Sequence, residues 1–325
     1  MVRIGVVGSG FMAETHVSAY RSIDGVEVSA VASPNTAAEF VAEQGLAADT
    51  YASATELLDE ADVDAVDVCT PTPTHRPVVE AAAERGVDVF CEKPIAGSLA
   101  DARAIDDAAA DAGITLMVGH VLRFFPQYER ARAVVEDGGI GDPGVARAQR
   151  RSPFPSWGHG NWYADRERSG GVLVDLAIHD IDFLRWVVGD VDRVFARRSV
   201  WDEGEHAHLT MRFANGAVGH VDASWGLPES QELGQSLELA GTDGLVEFDG
   251  DDAPVTTRTA EGTAVSSPVE RGGYQRELAA FVESLRTGSE PPVTARDAID
   301  TLRVSLAASR SAAEGRPVDP AEVDA

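Results

Sequence analysis

Ile4-Gly5-Val6-Val7-Gly8-Ser9-Gly10-Phe11-Met12-Ala13-Glu14-Thr15-His16, IGVVGSGFMAETH, runs from a valine-rich, strand-like segment into a helix-compatible one. Between the two lies the pattern Gly8-Ser9-Gly10-Phe11-Met12-Ala13. Its first glycine permits a tight turn, its second lets the backbone approach a pyrophosphate, and the alanine at its end allows a helix to pack closely on a strand. Amides at the start of that helix then complement phosphate charge. A ligand-free glycine turn is the plain alternative. The order of elements around the motif favours the dinucleotide.

Outward from this stretch, short valine-rich runs alternate with alanine-rich ones. Strands are expected over Arg3–Val7, Glu27–Ala32, Ala65–Cys69, Val87–Cys91 and Thr115–Gly119. Helices are expected over Met12–Arg21, Thr36–Gln44, Thr55–Glu60, His75–Arg85 and Leu99–Ala110, where apolar residues recur at helical spacing. Such alternation predicts right-handed crossovers and a parallel sheet covered on both faces. After Gly119 the pattern changes. A helix-like stretch (Gln127–Glu136) leads to Gly144–Arg151, a loop rich in Pro, Gly and Trp over Ser152–Arg168, and a helix over Gly171–Val188. Then come strand-like runs without helices between them: Arg193–Val200, Ala207–Phe213, Ala217–Trp225, Gln235–Ala240 and Leu245–Phe248. Two helices close the chain, Tyr274–Arg286 and Ala295–Ala313. The fold class is therefore α/β: a Rossmann dinucleotide-binding domain over residues 1–120, then an α+β domain with a largely antiparallel open sheet over 121–325.

A chain of 325 residues, 44% hydrophobic, can bury a sizeable core in two domains. No apolar run approaches the length that spans a bilayer, so no membrane partner is expected. The chain enters its first strand at once, which predicts no signal peptide. The two cysteines, Cys69 and Cys91, each end an apolar run, a pattern that suits buried thiols in a reducing, cytoplasmic setting. The formal charge is −27, from 54 acidic and 27 basic residues. That excess argues against nucleic acid as a partner and fits a salt-rich cytoplasm, where self-repulsion is screened.

The 27 basic residues include a single lysine, Lys93, in Cys91–Gly97 (CEKPIAG). Arginine offers a planar fork, whereas lysine offers a compact ammonium that can point at one oxygen. A chance surviving surface lysine is the plain alternative to a site that needs a point donor. Two more features concern chemistry. The second strand ends in Ser33-Pro34-Asn35 where the dinucleotide motif often places a carboxylate, and a hydroxyl and an amide admit a 2′-phosphate that a carboxylate would repel. The reading favours NADP over NAD, although no arginine adjoins; a Ser33 that merely opens a loop is the plain alternative. In GGVLVDLAIHDIDFLRW, Asp175 and His179 are four apart on one helix face among Leu173, Leu176, Ile178 and Ile181, which suits acid–base work as well as a plain ion pair. A metal pair is a third reading of Asp175 and His179, which would need a further ligand; His206 and His208 share a strand face and could supply one, but exposed histidines are the plainer reading and no metal site is expected. Trp157, Asn161, Trp162, Tyr163 and His159 in the long loop either line a sugar pocket or pin the loop, and Arg150 with Arg151 reads as solvated ion pairing.

In order, GSGFMA, CTPTPTH (Cys69–His75), CEKP and the Gly-Gly…Asp175…His179 helix resemble the glucose–fructose oxidoreductase / inositol dehydrogenase / MocA family of NAD(P)-dependent oxidoreductases, over nearly the whole chain. The resemblance implies catalytic roles for Lys93, Asp175 and His179, with the peptide after the lysine often cis. It implies cofactor contacts at Gly8, Ser9, Gly10, Phe11, Met12, Ser33, Thr70, Pro71, His75, Glu92 and Lys93, with Arg123 at the edge of the pocket. Ala177 stands where many members have glycine, a harmless change in a helix. The implied activity is hydride transfer between the nicotinamide and a secondary alcohol of a sugar, polyol or nucleotide sugar. His179 would be the base, and Lys93 would stabilise the alkoxide. Redox-assisted glycoside cleavage with tightly held NAD, and a non-enzymatic nucleotide or sugar sensor, are the alternatives. A homodimer or homotetramer through the second domain's sheet is expected.

Overall fold

The computed structural model describes residues 1–156, 158–202, 204–250, 253–267 and 272–324, with the backbone alone at 159 and 324. Trp157 thus lies outside the described residues. Two compact units emerge, 1–121 with 157–162 and 273–299, and 122–156 with 163–272 and 300–325. The later segments 158–162 and 273–299, set with the second domain on sequence, group with the first unit.

In the first unit strands β1 (Val2–Val7), β2 (Val26–Ala32), β3 (Asp49–Tyr51), β4 (Ala65–Val68), β5 (Asp88–Cys91) and β6 (Leu116–Val118) form one parallel sheet in the order β3-β2-β1-β4-β5-β6. That is the doubly wound order of dinucleotide-binding domains. Between the strands run α1 (Phe11–Tyr20), α2 (Ala37–Glu43), α3 (Ala54–Glu60), α4 (His75–Ala83) and α5 (Leu99–Ala112). Their limits follow from local chemistry. Ser53 accepts from the Glu56 N–H (3.2 Å) and Ser98 from the Asp101 N–H (3.1 Å), each satisfying an orphan amide at a helix start. Gly113, at φ +68°, ends α5 in the left-handed conformation that glycine adopts without strain. β4 is buried throughout, as the centre of a parallel sheet covered on both faces must be.

In the second unit α6 (Pro126–Glu136) leads into β7 (Pro143–Pro153), then short α7 (Arg166–Ser169), α8 (Val172–Asp175) and α9 (Ala177–Val188). Strands β8 (Val191–Trp201), β9 (Gly204–Phe213), β10 (Val218–Leu227), β11 (Gly234–Gly241), β12 (Gly244–Asp249), β13 (Val255–Thr259) and β14 (Gly262–Ser266) complete an eight-stranded sheet, ordered β14-β13-β12-β11-β7-β10-β9-β8. Only β7 and β10 pair parallel; the other neighbours are antiparallel. Alternation along the strands buries Ala207, Leu209 and Met211 of β9 with Val221 and Ala223 of β10, on the face covered by α9. Tyr128 meets Phe183 and Phe248 edge to face at centroid distances of 4.7 and 4.9 Å.

Helix α10 (Gly273–Thr287) belongs with the first unit, where Phe281 packs on Phe90 (5.5 Å) and Tyr274 lies against His16 (6.0 Å). Helix α11 (Ala295–Glu314) opens at Thr294, whose hydroxyl accepts from the Asp297 N–H while the Asp297 carboxylate accepts from the Thr294 N–H. Two expectations need correction. The helix expected over Gly171–Val188 is two helices parted at Leu176, with the His179 N–H bonded to the Leu176 carbonyl one residue short of α-helical spacing. Strands β3, β13 and β14 are additional to those expected.

Candidate active site

Past the carboxyl ends of β1, β2, β4 and β5 the first unit gathers eleven of the residues singled out from sequence. Gly8 has φ +121°, and a Cβ there would lie 2.5 Å from the Cys69 carbonyl oxygen, so no side chain fits. Gly10 differs. It caps α1 in an extended conformation without a side-chain cap, and a Cβ added to it would meet no protein atom within 4 Å. Gly8 is thus glycine because of its own chain, and Gly10 because of open space beside the uncapped first-turn amides. That space and those donors fit a pyrophosphate. Ala13 is buried behind them, Phe11 is exposed and Met12 half-buried.

At the end of β2 three hydroxyls close a triangle: Ser9–Ser33 (2.9 Å), Ser9–Thr36 (2.8 Å) and Ser33–Thr36 (2.7 Å). Each hydroxyl can both donate and accept, so the triangle is self-satisfied and carries no charge. Thr36 is a member that sequence reasoning did not single out.

Past β4, Thr70 and Pro71 are half-buried, and the Thr74 hydroxyl donates to the Thr70 hydroxyl (2.8 Å). His75 is buried: Nε2 faces the Thr70 carbonyl (2.8 Å) and Nδ1 the Pro94 carbonyl (3.1 Å). Burial lowers its pKa, while these carbonyls pull the other way. The geometry makes His75 a brace between two loops. The Lys93–Pro94 peptide is cis, as the resemblance implied. Lys93 is half-buried, with Pro94, Ile95 and Ala96 buried behind it.

Beneath Lys93 lies a buried charge network that sequence reasoning missed. His16 Nδ1 is 2.9 Å from Asp67 Oδ2, and its Nε2 is 3.2 Å from Glu92 Oε1. The Cys69 thiol donates to Asp67 Oδ1 (3.2 Å), and the Lys93 N–H donates to Glu92 Oε2 (3.0 Å). Burial alone would lower the His16 pKa, but the Asp67 carboxylate outweighs it and holds the imidazole well above its ordinary value. Burial likewise opposes ionisation of Glu92, yet the His16 hydrogen bond and charge, with Lys93, bring its pKa below the usual carboxylate range. Burial and the Asp67 charge push the Cys69 thiol far up, so it is an inert donor. An imidazolium held between two carboxylates therefore supports Glu92, next to the single lysine.

The second unit holds Arg123, Asp175 and His179. Gly170 (φ +76°) and Gly171 (φ +68°) turn the chain into α8, and a Cβ on Gly171 would lie 2.7 Å from Glu205 Oε2. That same oxygen accepts from the Val172 N–H (3.2 Å), capping the helix from another strand. Asp175 is buried at the end of α8 and His179 half-buried in the first turn of α9. Leu173, Leu176, Ile178 and Ile181 are buried around them, as their apolar spacing indicated. Arg123 is buried in a two-pronged pair with Asp182, through Nε (2.8 Å) and Nη2 (2.7 Å). Arg150, expected to be solvated, is instead buried against Asp180 (2.9 Å) and the Tyr128 hydroxyl (2.9 Å), and their charge and hydrogen bonds hold it cationic despite burial. In the long loop Asn161 is exposed with φ +52°, while Trp162 is buried. Tyr163 is also buried, edge-on to Trp225 (5.8 Å), so it pins the loop.

Comparison with known proteins agrees with this architecture. Residues 2–120 match the oxidoreductase family, NAD-binding Rossmann fold, and residues 128–247 match the GFO/IDH/MocA C-terminal domain. D-apiose dehydrogenase of Paraburkholderia graminis is 32% identical, over 98% of this chain and 90% of that one. Myo-inositol 2-dehydrogenase of Thermotoga maritima is 31% identical, over 99% of both. A crystal structure of an oxidoreductase from Agrobacterium radiobacter in complex with NAD⁺, L-tartaric acid and magnesium superposes with a TM-score of 0.88 at 26% identity, covering 99% of each chain. The chain belongs to the Gfo/Idh/MocA family of oxidoreductases, with an NAD-binding Rossmann domain at its N-terminal end.

Proposed function

We propose that this Gfo/Idh/MocA oxidoreductase reversibly oxidises a secondary alcohol of a sugar, polyol or nucleotide sugar. The observation that carries the reading is the open, uncapped amide cradle at Gly10 in the same sheet end as the half-buried Lys93. The activities that name its relatives, on apiose and on myo-inositol, support a polyhydroxylated substrate.

Gly8, Ser9, Gly10, Phe11 and Met12 would hold the pyrophosphate, and Thr70, Pro71 and Glu92 would border the nicotinamide end. The dinucleotide, when bound, supplies the hydride acceptor. Lys93 holds the substrate hydroxyl and stabilises the oxygen as it becomes an alkoxide. His179 takes the hydroxyl proton, and Asp175 orients that imidazole or binds a neighbouring hydroxyl. His75 and the His16–Glu92 contact act through position, keeping the lysine loop fixed. Asn161 and Trp162 are proposed substrate contacts. The uncharged Ser9–Ser33–Thr36 triangle supports NADP over NAD, because nothing there repels a 2′-phosphate.

The test is a panel of sugars, polyols and nucleotide sugars with NAD⁺ and NADP⁺ in molar KCl, which the 54 acidic residues recommend. Reduced nicotinamide should form with at least one polyol, and silence across the panel rejects the dehydrogenase reading. A lower KM for NADP⁺ is expected, and Ser33→Asp should reverse that preference. We place a homodimer or homotetramer contact on the second unit's sheet; a monomeric mass by light scattering removes it.

A further inference from the structure

The sheet face of β9 and β10 opposite the one α9 covers carries histidines that the reaction does not use. On β9, His206 and His208 project to the same side, and on β10 His220 and Asp222 do likewise. Register sets His208 directly across from Asp222 and His206 across from Ser224. The outcome is a compact group. His206 Nε2 and His208 Nε2 are 2.8 Å apart, and His206 Nε2 is 3.5 Å from Asp222 Oδ1. All three ligand atoms lie within 4.8 Å of one another.

Asp222 supplies the independent observation. It is only 6% exposed, and Oδ1 accepts no hydrogen bond. Its other oxygen, Oδ2, is held by Arg151 and by Gln149 Nε2 (3.3 Å). Those contacts lock the carboxylate with its unsatisfied oxygen toward the two imidazole nitrogens. A buried acceptor without a donor is destabilising unless something fills the gap. Ligand atoms on a tetrahedral zinc, with bonds of about 2.0–2.1 Å, stand roughly 3.3 Å apart. Two of the three spacings, 2.8 and 3.5 Å, fall on either side of that value, the shorter being a hydrogen-bond contact between the imidazoles that a metal would open, and the third is within 4.8 Å. His208 is steadied by stacking on His220 at 5.5 Å, and a groove of about 540 Å³ borders the group on the side of His220, Asp222 and Gln149.

We propose that His206, His208 and Asp222 form a zinc site clamping β9 to β10, with the fourth position left for a further ligand. Two imidazole nitrogens and one carboxylate oxygen suit zinc better than magnesium or calcium, which prefer all-oxygen shells. Arg151 and Gln149 are the outer partners that orient the carboxylate. The site is separate from the residues proposed for catalysis, and its metal takes no part in hydride transfer.

The experiment is titration of chelator-stripped protein with zinc chloride against a chromogenic chelator in KCl, with cobalt chloride as a spectroscopic probe. One zinc per chain is expected, with tetrahedral cobalt bands. His208→Gln and Asp222→Asn should each weaken binding by at least ~100-fold, beyond the loss of an outer partner. Zinc should raise the denaturation midpoint of the wild type and leave that of His208→Gln unmoved. Unchanged dehydrogenase activity of His208→Gln shows that the variant is folded. No stoichiometric uptake overturns the proposal, as does uptake that survives the double variant His206→Gln/His208→Gln. Loss of uptake with Cys69→Ser alone also overturns it, because that places the metal at the His16–Asp67–Cys69 group.

Discussion

The two units bury charge in opposite ways. In the first, a histidine stands between Asp67 and Glu92 directly under the loop that carries Lys93. In the second, α9 presents Asp182 and Asp180 two residues apart, each gripped by the fork of a buried arginine, Arg123 and Arg150. A guanidinium keeps its charge at any working pH, and its fork on a carboxylate fixes geometry in two dimensions. The histidine network contains an imidazole that can lose its proton, at a pKa the Asp67 carboxylate raises well above the ordinary value, and it sits beside the Lys93 loop. One arrangement holds a scaffold; the other includes Glu92, whose carboxylate accepts from the Lys93 N–H.

Breaking the scaffold should give the largest effect. Asp180→Ala leaves Arg150 buried without its partner and should cost about 3–5 kcal/mol in a denaturant titration. Arg150→Met with Asp180→Leu should recover most of it, and a single variant costing under ~1 kcal/mol would mean that the pair is not truly buried. Next comes the other region: Lys93→Arg should lower kcat by about 10²-fold or more, equivalent to ~2.7 kcal/mol, with an unchanged denaturation midpoint. A stability loss as large as the activity loss would make Lys93 a structural residue.

A subtler effect distinguishes the two kinds of charge by pH. The folded pKa of His16 lies above its ordinary 6.5, so its stabilisation is whole below that pH and fades as pH rises through the folded value. Glu92, depressed below 4.5, contributes above that pH and loses its contribution as pH falls through its folded value. The advantage in thermal midpoint of wild type over His16→Gln, on the order of several °C at pH 6, should shrink toward alkaline pH. Asp180→Ala should show no such trend, and a parallel trend in both variants would erase the contrast. The smallest effect belongs to an exposed pair: Arg147→Ala, which frees Glu238, should change stability by less than ~0.5 kcal/mol.

The parallel sheet was readable because valine-rich runs and helical periodicity alternate, and because Gly8 answers a steric demand of the turn while Gly10 marks the open start of α1. β3 is a three-residue edge strand with a polar sequence, and β14 exposes nearly every side chain, so neither shows period-two burial. The break at Leu176 carries no glycine or proline to announce it. Lys93 stood out by rarity. His16 and Asp67 did not, since a histidine on a helix and an aspartate in Val66-Asp67-Val68 both resemble outward positions. The missed signal was topological: β4 is central and covered on both faces, so a carboxylate there has to find a cation inside. His220 and Asp222 escaped notice for a related reason, because cross-strand register is invisible in a linear reading.

The lone lysine also makes the protein a natural single-label specimen. Reductive methylation with isotopically labelled formaldehyde would tag the α-amine and one ε-amine, that of Lys93. Its methyl resonance would report ionisation and ligand contact at this position with no mutation and no assignment problem. A lysine-specific endoprotease, meanwhile, meets a single target residue and can cut the unfolded chain at one place only.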